Sequence, residues 1–170
     1  WLQEKILSPG VLDGLNTEAR CILRGMVNTG YRPSEAQGLR AVDIRLDTNL
    51  PHISNEPVGR TLKNASLRRG IPLAGISLEA FRACPGGFPR YAGKAGLSAT
   101  VNKYLRENGL MQTEGHSLYG LRHSFEVRLL DRGVDERIRR DLMGHALSRE
   151  RYGQGASPER LAEVVQSIAL

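Results

Sequence analysis

Apolar residues recur every three or four positions along most of the chain, which is the spacing of helices that bury one face. The first such run is Leu15, Ala19, Ile22, Leu23 and Met26, and with a cap at Asn16 or Thr17 it predicts a helix that stops near Gly30. A second helix is predicted from Pro33 to about Arg40. Five more follow, several with Ser or Asp caps and closing glycines: Ser77 to Cys84, Ser98 to Asn108, Leu118 to Arg132, Asp135 to Leu142 and Pro158 to Ile168.

Three short segments carry the alternating or clustered apolar pattern of strands. They are Val42 to Leu46, Pro51 to Ser54, and Arg69 to Leu73. We therefore expect an α+β fold that is mostly α-helical, with a small three-stranded antiparallel sheet.

The helix from Leu118 contains a charge where a core residue is expected. Leu118, Leu121, Phe125 and Leu129 form one apolar stripe, and Arg122 lies inside it. A guanidinium on a buried stripe needs an anionic partner, because an unpaired buried charge costs several kcal/mol. By itself the pattern fits a structural ion pair with Glu35 or Glu126 as well as it fits an anionic ligand.

Length, charge and cysteine content limit the number of domains, the type of partner and the cellular compartment that we expect. With 170 residues, 40% of them hydrophobic, the chain is predicted to form one domain over residues 1–170. A net charge of +6 and a pI near 9.7 fit a polyanionic partner. The two cysteines form no metal-binding or disulfide pattern, and no apolar run reaches membrane-spanning length, which predicts a cytoplasmic protein with no membrane contact. The start at Trp1 suggests a fragment of a longer protein.

The sequence contains no motif typical of nucleotide binding or of metal-dependent catalysis. The sequence has no Walker A motif, no Gly-x-Ser-x-Gly, no complete dinucleotide-binding glycine pattern and no His-x-x-x-His pair, and carboxylates do not cluster as in two-metal nucleases. We therefore expect no cofactor and no metal.

Four short motifs occur in a fixed order: Thr29-Gly-Tyr-Arg32-Pro-Ser-Glu35, Tyr119-Gly-Leu-Arg122-His123, Leu142-Met-Gly-His145 and Arg151-Tyr152. Together they resemble the catalytic domain of the tyrosine recombinases, the phage-integrase family, over residues 15–152. The resemblance implies a site-specific recombinase or integrase that cuts and rejoins DNA through a 3′-phosphotyrosine. It also implies double-stranded DNA attachment sites as partners and assembly into a tetramer on DNA.

The resemblance assigns roles to individual residues. Arg32, Arg122 and His145 would bind the scissile phosphate, Tyr152 would be the nucleophile, and Lys63 would protonate the leaving 5′ oxygen. Glu35 would orient or pair one of the arginines, and a set of basic residues would contact DNA: Arg60, Arg68, Arg69, Arg149 and Arg151. His123 is expected to be structural.

The chain departs from the family pattern at two places. Tyr119 occupies the position where the family usually has His or Lys three residues before the second arginine, and a phenol is a poor base near neutral pH. Seven positions separate His145 from Tyr152, since 152 − 145 = 7, which is a short spacing for the family. The alternatives are a DNA-binding regulator without turnover and a type IB topoisomerase-like enzyme. The N-terminal DNA-clamping domain of full integrases is expected to be absent from this chain.

The last predicted helix, within residues 157–170, carries its own apolar stripe of Leu161, Val164, Val165 and Ile168. Such a stripe must be covered. Folding back on its own domain is the favoured interpretation, and docking on a neighbouring protomer is the alternative.

Overall fold

The computed structural model describes residues 1–54, 70–113, 115–145 and 155–170. A π-helical turn, Leu2–Ile6, and a 3-10 turn, Ala41–Asp43, accompany seven α-helices and three strands in these ranges. The helices are α1 Thr17–Val27, α2 Pro33–Ala36, α3 Gly75–Ala83, α4 Leu97–Glu107, α5 Gly120–Asp131, α6 Glu136–Met143 and α7 Pro158–Ile168. The strands are β1 Ile44–Arg45, β2 His52–Ser54 and β3 Gly70–Pro72. The predicted fold class is confirmed.

Side-chain caps begin three of the helices where the sequence predicts them. The carbonyl oxygen of the Asn16 side chain accepts from Ala19 N at 3.1 Å at the start of α1. Asp135 caps α6 and Ser157 caps α7 in the same way. Gly109, Gly133 and Gly144 follow α4, α5 and α6 with positive φ, as expected for helix-ending glycines.

The sheet is antiparallel in the order β1-β2-β3. Its register places Ile44, Ile53 and Ile71 opposite one another, and all three are buried. One apolar residue from each strand therefore anchors the sheet on the core.

The second helix and the first strand are shorter than expected for one shared reason. Helix α2 ends at Ala36 rather than near Arg40, and the first strand begins at Ile44 rather than Val42. The Asp43 carboxylate accepts from Arg40 N at 2.9 Å and from Arg40 Nη2 at 2.8 Å. These bonds fold residues 41–43 into the 3-10 turn and remove them from both elements.

The buried apolar residues form two clusters. The larger contains most of α1, α4 and the sheet, and the smaller contains α6 and α7 side chains with Ala74. Helix α5 joins them, because Leu121 and the preceding Leu118 belong to the first cluster while Phe125 and Leu129 belong to the second. Arg122 lies where this stripe passes from one cluster to the other.

Helix α7 packs on its own domain. Val164, Val165 and Ile168 are buried in the second cluster, and Ile76 N donates to Leu170 O at 2.7 Å just beyond the helix. Its apolar stripe is thus covered within the same chain, as the favoured interpretation predicts. No helix in the described part of the chain combines the length and apolarity that crossing a bilayer requires.

Candidate active site

Arg122 is the centre of the candidate site. It is 2% exposed, and its guanidinium donates to carbonyl groups of two other segments. Nη1 donates to Gly30 O, in the turn between α1 and α2, and Nη2 donates to Met143 O at 2.6 Å, at the end of α6. Nη2 also lies 2.9 Å from His145 Nε2. A buried arginine on the α5 stripe is therefore confirmed, and it joins α1, α5 and α6 at one point.

The turn that ends α6 orients the His145 side chain toward Arg122. Gly144 adopts the left-handed conformation with φ +63°, which an L side chain adopts only with strain. The chain reverses there, and His145 N donates to Arg140 O at 3.0 Å. This turn places the imidazole against the guanidinium.

The surroundings favour a neutral imidazole. Partial burial lowers the pKa of His145, the nearby Arg122, Arg32 and Arg140 lower it further, and Glu126 opposes them. A neutral ring can accept from Arg122 at Nε2, which leaves the proton on Nδ1 as a donor for another group.

Arg32 is held beside this pair by Glu35. Arg32 Nη1 donates to Glu35 Oε1 at 3.0 Å, and Arg32 N donates to Oε2 at 2.8 Å. The expectation that Glu35 pairs with one of the arginines is confirmed. The side chain of Arg32 is 35% exposed, so it faces solvent more than Arg122 does. Because α2 has only four residues, its helix dipole is small, and the Glu35 carboxylate orients Arg32.

Tyr119 directly precedes α5 and is 46% exposed. Its ring meets that of His123 edge-on, with centroids 5.2 Å apart. His123 is itself exposed, so it packs on the surface beside Tyr119 rather than in the core.

The remaining predicted site residues lie outside the described residues. They are the proposed proton donor, the proposed nucleophile and the DNA-contacting arginines: Lys63, Tyr152, Arg60, Arg68, Arg69, Arg149 and Arg151. Among the residues that are described, no group of three or more His, Cys, Asp or Glu side chains could hold a metal ion.

Sequence analysis missed a second arginine on α5, the half-buried Arg128, whose guanidinium binds the ends of two helices. The signal was present, because Arg128 follows Phe125 by three positions and Leu121 by seven, which places it beside the same stripe as Arg122.

Curated proteins similar to this chain are tyrosine recombinases. The chain is 29% identical over 160 residues to tyrosine recombinase XerC of Mesorhizobium japonicum, which covers 86% of this chain and 49% of that protein. It is 32% identical over 146 residues to tyrosine recombinase XerC of Xylella fastidiosa, which covers 78% of this chain and 46% of that protein. The chain thus spans about half the length of the relatives it matches. No protein-family model matches it.

Solved structures with the same fold are integrases. The integrase from mycobacterium phage Brujita superposes with a TM-score of 0.63 at 19% identity, over 92% of this chain and 54% of the integrase. The Tn1549 transposon integrase, in complex with circular intermediate DNA, gives a TM-score of 0.62 at 16% identity, over 89% of this chain and 56% of that one. At these identities the likeness concerns the fold, and the sequence relatives supply the family. The chain belongs to the tyrosine recombinase family and has the fold of that family's integrase catalytic domain.

Proposed function

We propose that this chain is the catalytic domain of a site-specific DNA recombinase that cleaves and rejoins DNA through a 3′-phosphotyrosine intermediate. The observation that carries the proposal is the contact between the Arg122 guanidinium and the His145 imidazole, beside the Arg32–Glu35 pair. Two arginines and an imidazole concentrated at one point form a set of donors suited to the non-bridging oxygens of a phosphodiester.

The reaction requires a nucleophile, charge stabilisation and a proton for the leaving group. The Tyr152 phenol gives its proton to water, its oxygen attacks phosphorus, the P–O5′ bond breaks, and Lys63 gives its own proton to the departing O5′ atom. Arg32, Arg122 and His145 stabilise the charge, and Tyr119 is a further candidate hydrogen-bond donor. The phosphotyrosine keeps the bond energy, so rejoining needs no nucleotide cofactor.

The burial of Arg122 sets a condition on this mechanism. At 2% exposure its guanidinium does not face a solvent-filled cleft, so a DNA phosphate reaches it only after the edge of the site opens. Arg32 and His145 are more exposed and meet the phosphate first. Tightening of catalytic contacts on substrate binding is common in enzymes.

The proposed partner is a double-stranded DNA attachment site, and the Tn1549 integrase complex with DNA supports it. Arg60, Arg68, Arg69, Arg149 and Arg151 are the proposed contacts to its backbone. Assembly into a tetramer on DNA and a cytoplasmic location complete the proposal.

A second candidate function is DNA binding without turnover. Tyr119 favours it, because a half-exposed phenol replaces the usual His or Lys and cannot act as a strong base near neutral pH.

Covalent trapping tests both candidates. The full-length protein is used to select duplexes from a random pool, and a nicked form of the selected DNA is incubated with it before a denaturing gel. We expect a covalent adduct with the wild-type protein and none with Tyr152→Phe, while the variant keeps nearly wild-type DNA binding. Tyr119→Phe is the matched control, and it should still form the adduct.

Failure takes two distinct forms in this experiment. DNA binding without any wild-type adduct would favour the regulator. An adduct in Tyr152→Phe would move the nucleophile elsewhere, and Tyr119 is then the first candidate, because Tyr91 OH accepts from Asn16 and Tyr104 OH donates to Val11 O.

A further inference from the structure

Arg128 joins the C-terminal ends of two helices that are far apart in sequence. Its Nη2 donates to Val27 O at the end of α1, and its Nη1 donates to Ile168 O at 2.5 Å at the end of α7. Nη1 also donates to the side-chain oxygen of Asn28 at 3.0 Å. Burial lowers the pKa of Arg128 to about 10, and in the part of the chain that is described no carboxylate forms a salt bridge with it. Helix-end carbonyls therefore take the place of a counterion.

Asn28 completes this contact from the other side. Its Nδ2 donates to Ala74 O and to Leu170 O, each at 3.1 Å, and its Oδ1 accepts from Leu170 N at 3.3 Å. We call Asn28, Arg128, Ile168 and Leu170 the α1–α7 clasp. It fixes the chain after α7 to the residue that ends α1.

The clasp adjoins the candidate active site along the backbone. Asn28 is followed directly by Thr29 and by Gly30, whose carbonyl binds Arg122. Helix α5 thus holds the turn before Arg32 at two points, through Arg122 and Arg128, which are six residues and about 9 Å apart along the helix. The other end of the clasp belongs to the helix that follows Tyr152 in sequence.

We propose that Arg128 is a positioning residue for DNA cleavage, which couples the seating of α7 to the placement of Arg32 and Arg122. This inference rests on the proposed function. Burying a guanidinium is unfavourable unless its hydrogen bonds are made. The Nη1 and Nη2 groups of Arg128 make their bonds to Val27 O, Asn28 Oδ1 and Ile168 O only when both helix ends are in place, and its buried Nε makes none to any described residue. When α7 leaves its seat, Arg128 loses Ile168 O and Asn28 loses Leu170, so the turn that carries Arg32 loses its support.

A kinetic double-mutant cycle tests the coupling in the full-length protein. Single-turnover cleavage of the selected nicked DNA is measured at saturating protein for the wild type, Arg128→Met, Arg32→Ala and the double variant. We expect Arg128→Met to slow cleavage about 10-fold or more, with a Kd for DNA within about twofold of wild type. Loss of ground-state DNA binding would instead raise the Kd and leave the cleavage rate at saturating protein unchanged. In the Arg32→Ala background Arg128→Met should add less than about twofold, because residues that act through one another are not additive.

The matched control is Arg139→Met. Arg139 Nε also donates to a backbone carbonyl, Val134 O at 3.1 Å, but this bond does not involve α1 or α7. It should leave both the cleavage rate and its dependence on Arg32 unchanged. If Arg128→Met cleaves at the wild-type rate, or if its defect multiplies with that of Arg32→Ala, the coupling is wrong. If Arg128→Met does not fold at the assay temperature, Arg128→Lys replaces it in the same cycle. A wild-type cleavage rate, or a defect that multiplies with that of Arg32→Ala, would again contradict the coupling.

Hydrogen exchange separates failure of the clasp from failure of the proposed function, since it needs no catalysis. In Arg128→Met, amide exchange should rise together in residues 27–32 and 164–170, and in Arg139→Met in neither. If amide exchange rises in both segments but the wild-type protein forms no covalent adduct, the clasp is supported and the recombinase function is rejected. A rise in only one of the two segments would reject the clasp, whatever the protein does to DNA.

Discussion

The proton on His145 decides what the Arg122–His145 contact can do. Nε2 lies 2.9 Å from Arg122 Nη2, so a neutral ring with its proton on Nδ1 satisfies both groups. A protonated ring would place two cations in contact and remove the acceptor. The site therefore depends on a histidine that stays neutral, and the lowered pKa of His145 favours that state.

This dependence predicts a pH effect on stability. Because the pKa of folded His145 is below its unfolded value, the unfolded chain binds the proton more readily as the pH falls. The stabilisation is present above the unfolded pKa and is lost as the pH falls through the folded one. Between about pH 7.5 and about pH 5.5, a window that includes the ordinary histidine pKa of about 6.5, the Tm of the wild type should fall more than that of His145→Gln.

His123→Gln is the control for this measurement, because His123 is an exposed histidine outside the Arg122 contact. It should keep the pH dependence of the wild type. Equal pH dependence in the wild type and His145→Gln would show that the imidazole does not need to be neutral.

Lys63 and Arg32 should respond differently to the leaving group. A 5′-bridging phosphorothiolate departs without needing a proton, so this substrate should restore cleavage by Lys63→Ala. It should not restore Arg32→Ala, which loses a donor to the non-bridging oxygens and should slow cleavage by about 10²-fold or more on either substrate. The measurement is the ratio of single-turnover rates on the two DNAs. Equal defects of Lys63→Ala on both would leave this lysine as a DNA contact only.

At the residue scale, sequence identified the anomaly at Arg122 but not its partners. A charge inside an apolar stripe is visible in a window of twelve residues, whereas Gly30 O and Met143 O reach Arg122 from 92 and 21 positions away. The local pairing of Arg32 with Glu35, three positions apart, was predictable because it lies within one turn.

The α1–α2 turn is the element on which the site depends most. Gly30 has φ +61°, and a Cβ there would lie 2.5 Å from Phe125 Cδ1 and 2.9 Å from Met143 Sδ. Only glycine allows this turn to approach α5 and the end of α6 closely enough for its carbonyl to bind Arg122.

We therefore expect Gly30→Ala to impair folding and cleavage together. Gly133→Ala is a matched control, since Gly133 has φ +68° but no described atom within 4 Å of its added Cβ. Both variants carry the cost of a left-handed alanine, about 1 kcal/mol, and Gly30→Ala adds about 1 to 3 kcal/mol of overpacking. Gly30→Ala should therefore lose more free energy of unfolding in urea, and more covalent adduct, than Gly133→Ala. Equal losses in the two variants would mean that the crowding at Gly30 relaxes freely.

Elements with strong local signals were predicted closely. The bounds of α7 match, because Ser157, Pro158 and an uninterrupted apolar stripe specify its start and its face. Helix α2 and strand β1 were predicted too long, since the bond between Asp43 and Arg40 competes with both elements and periodicity does not register it. The sheet was predictable from the apolar residues that it aligns, Ile44, Ile53 and Ile71.

Across the whole molecule, the second cluster determines how firmly the C-terminal helix is attached. Helix α7 contributes Val164, Val165 and Ile168 to a cluster that also holds Phe125 and Leu129 of α5. The same α5 carries Arg122 in its first turns. Seating of α7 and integrity of the site therefore share one helix, whereas docking of α7 on a neighbouring protomer would uncover this cluster.

Packing of α7 within its own chain makes a prediction for the isolated monomer. Val165 is fully buried, so Val165→Ala should lower the free energy of unfolding by about 2 kcal/mol through lost burial and a new cavity. For a chain of 170 residues this corresponds to a fall in Tm of roughly 4 to 8 °C. Gln166→Ala, on the exposed face of the same helix, should change the Tm little. Both are measured on protein that light scattering shows to be monomeric. If Val165→Ala leaves the monomer's Tm unchanged but reduces cooperative binding to a full DNA site, α7 docks on a neighbouring protomer in solution, and the clasp at Arg128 forms between chains rather than within one.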